Sequence, residues 1–169
     1  MAAETRVALV TGAQQGIGAA AARALAASGH DVAINWLDDE AQAEAVAAEV
    51  RATGRRAALI QGDVGTAASA AALVEKTLTA LGRIDVLVNN AGAIPSGRLQ
   101  DISIQRWQEA WSLKVFGYIH LCQLYLPAME ARKAGAVVNI IGMAGRSPKA
   151  GYICGGAGNA SLIAFTQAL

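Results

Sequence analysis

A short apolar segment followed at once by three glycines constrains this chain more than any other feature. Residues 7–10 are apolar without polar alternation, which is typical of a strand buried on both faces. Gly12, Gly16 and Gly18 follow, and an alanine-rich helical pattern begins directly after them. Glycine permits a tight turn and lets a pyrophosphate approach bare backbone, while the N-terminus of the next helix attracts that anion. The segment therefore predicts a dinucleotide-binding turn rather than an ordinary connection between a strand and a helix.

Strand and helix patterns alternate along the rest of the chain. The predicted strands are 7–10, 31–35, 57–60, 84–88 and 136–141. The predicted helices are 19–27, the segment between Asp38 or Asp39 and Gly54, the segment between Thr66 and Gly82, Ile104 to about Arg132 with Ser103 as its cap, and the residues from Tyr152 onward. This alternation predicts an α/β fold with a doubly wound parallel sheet in one domain, residues 1–169.

Composition and charge exclude several classes of protein. Hydrophobic residues make up 54% of the chain and charged residues 16%, which excludes disorder and favours a mostly buried sheet. A net charge of +1 provides no electrostatic argument for nucleic acid or for an anionic membrane surface. The most apolar helical segment, Leu113–Leu126, is interrupted by Lys114 and His120 and is shorter than a membrane span requires. We therefore expect a soluble protein with no nucleic-acid or membrane partner.

The cysteines and the N-terminus indicate where the protein resides. Cys122 and Cys154 lie far apart, with no CxxC motif and no histidine at metal-ligand spacing, so we expect two reduced thiols and no metal site. Glu4 and Arg6 lead straight into the first strand, which is unlike a secretory signal. Both features predict a cytoplasmic location.

Three motifs together resemble the short-chain dehydrogenase/reductase family. They are the Thr11-Gly12-x-x-x-Gly16-Ile17-Gly18 turn, the Asp63-Val64 pair after the third strand, and Asn89-Asn90-Ala91-Gly92 after the fourth. The resemblance implies a Rossmann-type sheet in the order 3-2-1-4-5 and an oxidoreductase of alcohols or carbonyls that uses NAD or NADP. It also implies that Asn89 ties neighbouring strands together. The cofactor-binding positions expected from the motifs and from the end of the second strand are Gly12, Gln15, Gly16, Ile17, Gly18, Trp36, Asp63, Val64, Asn90, Ala91 and Gly92.

The choice between NAD and NADP stays open at this stage. An acid at the end of the second strand selects NAD, whereas an arginine nearby accommodates the NADP phosphate. Residues 35–38 offer neither at the expected place, and Gln15 stands where many NADP-dependent members have an arginine. Trp36 is either a stacking partner for the adenine or a partly covered surface aromatic.

The resemblance breaks down at the catalytic positions. In the family, a tyrosine donates the proton, a lysine four residues later lowers its pKa, a serine holds the substrate oxygen and an asparagine supports a proton path. Alignment places Gly155 at the tyrosine, Asn159 at the lysine, Gly142 at the serine and Lys114 at the asparagine. The standard mechanism therefore cannot operate with these residues.

Two side chains are candidate substitutes. Tyr152 lies one helical turn before Gly155, so its hydroxyl is a candidate proton donor. Lys114 lies on an otherwise apolar stripe, where desolvation would lower its pKa and suit it to assist. The competing interpretation is that Lys114 extends its amine to water and Tyr152 caps the loop.

The resemblance covers nearly the whole chain but about the first two-thirds of a usual family domain. We therefore expect a sheet truncated after the fifth strand and its following helix, and a domain incomplete at its C-terminus. Two alternatives to a complete oxidoreductase follow: a non-catalytic cofactor-binding or assembly protein, and an incomplete enzyme. The resemblance also implies a homo-oligomer, and the apolar residues predicted for its interface are Leu121, Leu124, Leu162, Ile163 and Phe165.

Overall fold

The computed structural model describes residues 5–169. Its strands are β1 (Val7–Val10), β2 (Asp31–Trp36), β3 (Ala57–Gln61), β4 (Val86–Asn89) and β5 (Ala136–Asn139). Its α-helices are α1 (Gly16–Ala27), α2 (Glu40–Ala52), α3 (Ala67–Leu81), α4 (Ile104–Trp111), α5 (Gly117–Arg132) and α6 (Ile153–Ala168). Single 3-10 turns cover Leu99–Asp101 and Met143–Gly145, and a π-helical turn covers Ser112–Phe116.

The five strands form one parallel sheet in the order β3-β2-β1-β4-β5, as predicted. Val10 at the end of β1 lies beside Ile34 of β2 and Val88 of β4, and β2 continues for two further residues to Trp36. The chain leaves β1 in one direction and β4 in the other, because the strand order reverses between them. In open α/β sheets a crevice forms at this point of reversal, and ligands bind there.

Polar caps and one left-handed glycine set the ends of the helices. Asp39, rather than Asp38, caps α2 with its carboxylate, and Thr66 and Ser103 cap α3 and α4 with their hydroxyls. Gly82 ends α3 at a φ of +86°, a conformation that costs glycine little. The boundaries at these positions therefore follow from local side-chain chemistry.

The helical run predicted from Ile104 to about Arg132 is present, but a π-helical turn divides it. Residues Ser112–Phe116 form this turn between α4 and α5. A π turn inserts one extra residue into the helix and changes which side chains face the sheet, and such turns occur often at functional sites. Lys114 lies at the middle of the turn.

Apolar side chains pack on both faces of the sheet. All four residues of β1 are buried, and β1 contributes to the packed clusters on either side. Leu121 and Leu162 have no exposed surface and pack inside these layers, so their assignment to an interface between chains was wrong. Only Leu124 of the five predicted interface residues is a strongly exposed apolar residue, with 42% of its surface accessible. Periodicity identifies apolar positions on a helix but not which of them the protein's own core uses.

Cys122 and Cys154 are both buried, and neither forms a disulfide within the described residues. Burial raises the pKa of both thiols, which keeps them protonated. Within residues 5–169, no helix is both long and apolar enough to cross a membrane, and no cluster of histidine, cysteine or acidic side chains has the arrangement of a metal site.

Candidate active site

A cavity of about 520 Å³ opens at the carboxyl ends of the strands. It is lined by residues 12, 14, 15, 17, 35–38, 62–64, 90–93, 113, 114 and 140–142. All of the predicted cofactor positions except Gly16 and Gly18 are in this lining. We call the part formed by 35–38 and 62–64 the β2 end, and the part formed by 91–93, 113–114 and 140–142 the β5 end.

The glycine turn between β1 and α1 leaves room beside a free helix terminus. Gly12 and Gly16 have φ values of +59° and +58°, which side-chain-bearing residues rarely adopt. A Cβ added to Gly16 would meet no atom within 4 Å, and no side chain caps the N-terminus of α1. A Cβ on Gly18 would instead lie 2.4 Å from the carbonyl oxygen of Gly12. Gly16 thus keeps space open, and Gly18 lets the helix pack against the turn.

The segment after β4 braces this turn from the other side of the crevice. The Asn90 side-chain amide donates to the carbonyl oxygens of Thr11 and Gly12 at 2.9 and 3.1 Å. The backbone N–H groups of Asn90 and Ala91 donate to the Thr11 hydroxyl. Neighbouring Asn89 donates to the Oδ1 atom of Asn139 at 2.9 Å, which ties β4 to β5 as predicted. The cavity therefore has a rigid floor where the two loops diverge.

At the β2 end, two carboxylates lie in the lining. The Gln14 amide donates to Asp38 Oδ1 at 2.8 Å and accepts the Leu37 N–H at 2.8 Å, which holds the Asp38 carboxylate in place. Asp63 accepts the N–H of Gly65 at 3.0 Å. Among the described residues that line the cavity, Lys114 is the only lysine or arginine, and it lies at the opposite end. The β2 end is therefore acidic.

Trp36 is mostly covered, with 8% of its surface exposed, and it contributes to the wall of the β2 end. Its indole N–H is buried and has no hydrogen-bond partner within the described part of the chain. The motif-based prediction missed Gln14, Leu37 and Asp38 as lining residues. Their positions in the sequence could have indicated them, because Gln14 lies inside the glycine turn and Leu37 and Asp38 directly follow β2.

At the β5 end, the π turn brings Lys114 into the cavity wall. Its ammonium donates to the carbonyl oxygen of Ile140 at 3.2 Å and to the Tyr118 hydroxyl at 3.4 Å. The Tyr118 hydroxyl also donates to Ile140, at 3.0 Å. Burial lowers the pKa of Lys114, as predicted from its apolar stripe, and raises the pKa of Tyr118. Lys114 thus gives up its proton more readily than an exposed lysine.

Tyr152 fills the space over Gly155. A Cβ placed on Gly155 would lie 2.1 Å from two carbons of the Tyr152 ring and 2.6 Å from its hydroxyl oxygen. A larger residue at position 155 would therefore displace that ring. Tyr152 does not belong to the cavity lining, and the hydroxyl bonded to Lys114 is that of Tyr118. No hydrogen bond joins the two predicted substitutes.

Gly142 and Asn159 form a direct contact at the end of β5. The backbone N–H of Gly142 donates to Oδ1 of Asn159 at 3.0 Å, and a Cβ on Gly142 would lie 2.9 Å from Nδ2 of the same side chain. Gly142 lines both the main cavity and a second cavity of about 360 Å³. Gly142 and Asn159, which the resemblance places at the family's serine and lysine, are therefore neighbours in space.

Comparison with known proteins identifies close relatives. The sequence profile of the family described as short chain dehydrogenase matches residues 6–169. The 3-oxoacyl-[acyl-carrier-protein] reductase of Synechocystis sp. is 38% identical over 162 residues, which cover 96% of this chain and 66% of that protein. The corresponding reductase of Staphylococcus aureus is 34% identical, covering 91% of this chain and 64% of its own length.

Solved structures agree with these sequence relatives. The acetoin dehydrogenase of Enterobacter cloacae superimposes with a TM-score of 0.92 at 34% identity, covering 98% of this chain and 66% of that chain. The acetoin dehydrogenase of Salmonella typhimurium superimposes with the same TM-score at 32% identity and the same coverage. This chain therefore spans about two thirds of the length of its relatives.

Proposed function

This chain belongs to the short-chain dehydrogenase family, and we propose that it is an NAD(P)-dependent oxidoreductase that interconverts an alcohol and a carbonyl. The observation that carries the proposal is the arrangement of one cavity. Its middle borders an open glycine turn at an uncapped helix terminus, and its β5 end holds a partly buried lysine. The strands of the described part of the chain form a single sheet. We propose that this part of the chain is one dinucleotide-binding domain.

The glycine turn and the β2 end have the features that a dinucleotide requires. We propose that the pyrophosphate lies over Gly16, where a Cβ would meet no atom, and accepts hydrogen bonds from the first N–H groups of α1. The adenine would lie between Trp36 and the Asp63-Val64 pair, which face the same cavity. When bound, the nicotinamide supplies or accepts the hydride of the reaction.

We propose a preference for NAD(H) over NADP(H). The two forms differ by a phosphate on the adenosine ribose, which adds negative charge at the β2 end. Asp38 and Asp63 line that end, and no lysine or arginine of the described lining accompanies them. Gln14 holds the Asp38 carboxylate by a 2.8 Å hydrogen bond. A fixed carboxylate repels the additional phosphate and is suited to accept hydrogen bonds from ribose hydroxyls.

We propose Tyr152 as the proton donor in carbonyl reduction, with Lys114 as the assisting cation. The Tyr152 ring occupies the space over Gly155. The Tyr152 hydroxyl, however, lies close to the backbone of residue 155, whereas a tyrosine at position 155 would extend its own hydroxyl further away. A water molecule therefore bridges Tyr152 to the substrate oxygen, as water commonly does between polar groups too far apart to bond. The oxygen gains the Tyr152 proton, and the phenolate recovers one from solvent. Lys114, in the cavity wall, stabilises the negative charge that develops on the way.

The names of the relatives suggest ketones as substrates. We propose that the substrate resembles acetoin or a 3-oxoacyl group, the substrates named for the two sets of relatives. These relatives favour the oxidoreductase over a non-catalytic cofactor-binding protein. The free thiols support a cytoplasmic location. The exposed side chain of Leu124 supports self-association of the chain.

Calorimetric titration with NADH and NADPH, followed by turnover assays on diacetyl, acetoin and an acetoacetyl thioester, tests the proposal. We expect NADH to bind and at least one ketone to be reduced. Binding without turnover on the whole panel would favour the non-catalytic protein. No binding of either dinucleotide would show that the cavity serves another ligand.

A further inference from the structure

We propose that the carboxamide of Asn159 holds the substrate oxygen at the β5 end, taking the place of a hydroxyl that position 142 cannot provide. This inference rests on the proposed function. It concerns a different group from the proton donor, because an amide N–H donates a hydrogen bond but does not give up its proton at neutral pH. Three observations carry it: the orientation of the amide, its unused donor and the space left by Gly142.

The orientation of the Asn159 amide follows from its partner. The backbone N–H of Gly142 can only donate, so the atom that accepts from it at 3.0 Å must be Oδ1. The Nδ2 group must then point to the other side. A single backbone hydrogen bond therefore determines where the two N–H bonds of this side chain lie.

The donor of Asn159 is unused although the side chain is buried. Only 2% of the Asn159 surface is exposed. Within residues 5–169, Nδ2 has no acceptor at hydrogen-bond distance. Nδ2 is not among the fully buried atoms that lack a partner, so it keeps a small accessible surface although the residue as a whole is covered. Asn159 does not itself line the main cavity, but its contact Gly142 does, and the donor is therefore available to a ligand that enters beside Gly142.

Gly142 provides the space in which that donor lies. A Cβ on Gly142 would be 2.9 Å from Nδ2, so a side chain at this position and the Asn159 amide would compete for one place. Gly142 itself lines the main cavity, next to Ile141 and near Lys114. The amide thus lies where a side chain projecting from position 142 would begin.

The chemistry of a neutral N–H donor suits the oxygen of a carbonyl under reduction. As a hydride adds to the carbon, negative charge develops on that oxygen, and a fixed donor stabilises the transition state more than the ground state. Asn159 is held by its bond to Gly142 before the substrate arrives, so little reorganisation is needed. The oxygen then takes its proton from another group, which leaves the carboxamide chemically unchanged.

Asn159→Asp provides the sharpest test because it preserves the acceptor for Gly142 and replaces the donor by a negatively charged oxygen. We expect kcat for diacetyl reduction to fall by about 100- to 1,000-fold, with a similar fall in kcat/KM, as for loss of one donor to an oxyanion. The affinity for NADH should stay within about twofold, since the glycine turn is remote. Asn139→Asp is the matched control: it adds the same charge in β5, preserves the acceptor for Asn89 and should retain the parent's rate.

A rescue variant separates this role from a merely structural one. Asn159→Ala removes the amide and leaves the Gly142 N–H unpaired. Combining it with Gly142→Ser places a hydroxyl in the vacated space. We expect the double variant to recover at least about tenfold in kcat over Asn159→Ala, because a hydroxyl also donates to the oxygen. Gly142→Ser alone should lower kcat, since its Cβ would crowd Nδ2.

A measurement without turnover completes the test. The side-chain amide resonances of Asn159 are identified by their loss in Asn159→Asp. They are then followed by NMR while diacetyl is added to the complex of the protein with the oxidised cofactor. The oxidised cofactor has no hydride to give, so diacetyl binds without being reduced. A saturable downfield shift supports the inference even if the parent shows no turnover. Unmoved resonances in a complex that binds diacetyl would overturn it, as would parental kcat in Asn159→Asp. If NADH does not bind to the parent at all, the proposed function fails with it.

Discussion

The middle of the cavity and its β5 end depend on the sequence in different ways. At the middle, the proposed dinucleotide site consists of backbone: two glycines with positive φ, a helix N-terminus without a side-chain cap, and the Asn90 amide bonded to the turn. At the β5 end, the proposed reaction needs side chains of particular acidity, and there the resemblance predicts that Gly142, Gly155 and Asn159 stand at the family's catalytic positions. A site formed by backbone atoms tolerates many side-chain substitutions, whereas proton transfer depends on the particular side chains that carry it out. We therefore expect binding and chemistry to be separable in this fold, so that a substitution can remove one without the other.

The largest effect is expected at the β5 end. Tyr152→Phe should lower kcat by about 100- to 10,000-fold, because the phenyl ring retains the packing over Gly155 but has no proton to give. Steady-state kinetics measure the rate, and calorimetry should find the NADH affinity unchanged. Gly155→Ala should cause a similar loss by displacing the ring. If Tyr152→Phe turns over at the parent's rate, the proton comes from elsewhere.

A change in the glycine turn should weaken cofactor binding, whereas Tyr152→Phe should lower kcat and leave the NADH affinity unchanged. Gly16→Val places a branched side chain at a φ of +58° in the space proposed for the pyrophosphate, and should weaken NADH binding at least about a hundredfold. Calorimetry measures the affinity. Gly54→Val is the matched control, because Gly54 also has a positive φ of +79° and open space around its Cβ but follows the C-terminus of α2 rather than beginning α1. Equal NADH binding by both variants would place the dinucleotide elsewhere.

A moderate effect is expected from the Asp38 charge. Asp38→Asn preserves an acceptor for Gln14 and removes the repulsion toward a ribose phosphate, so the affinity for NADPH should rise about five- to tenfold while that for NADH changes little. Parallel titrations measure the ratio. Asp39→Asn, which preserves the cap of α2, should leave the ratio within about twofold. An unchanged ratio in Asp38→Asn would contradict the proposed NAD preference.

The smallest effect concerns pH and stability. Burial lowers the pKa of Lys114 in the folded protein, so between that value and the ordinary pKa of about 10.4 the unfolded chain binds a proton that the folded protein does not. Stability therefore rises with pH across this window. Lys114→Met should remove that rise, so that Tm depends less on pH across this window than in the parent. Thermal unfolding across the alkaline range measures it, with Lys76→Met, at an exposed site, as the control. Identical slopes in the parent and Lys114→Met would show that Lys114 titrates normally.

Local signals predicted most of the fold. The strand patterns and the caps at Thr66, Ser103 and Gly82 were confirmed because each depends on a few neighbouring residues. The π turn was not predicted, since residues 112–116 carry no local signal for it; in the structure this turn packs against α6. The interface assignments of Leu121 and Leu162 were wrong for a related reason: an apolar stripe is the same whether a core or another chain covers it.

For the site, the sequence by itself determined the glycine turn and its brace, because both are segments whose role depends on backbone geometry and on order along the chain. It also determined that Gly142 and Gly155 carry no reactive side chain. Only the tertiary structure decided what stands in those places. Tyr152 covers Gly155, Asn159 reaches Gly142, and Lys114 bonds to Tyr118 rather than to Tyr152. The removal of a side chain is visible in a sequence, but which neighbour fills the space depends on how distant segments pack.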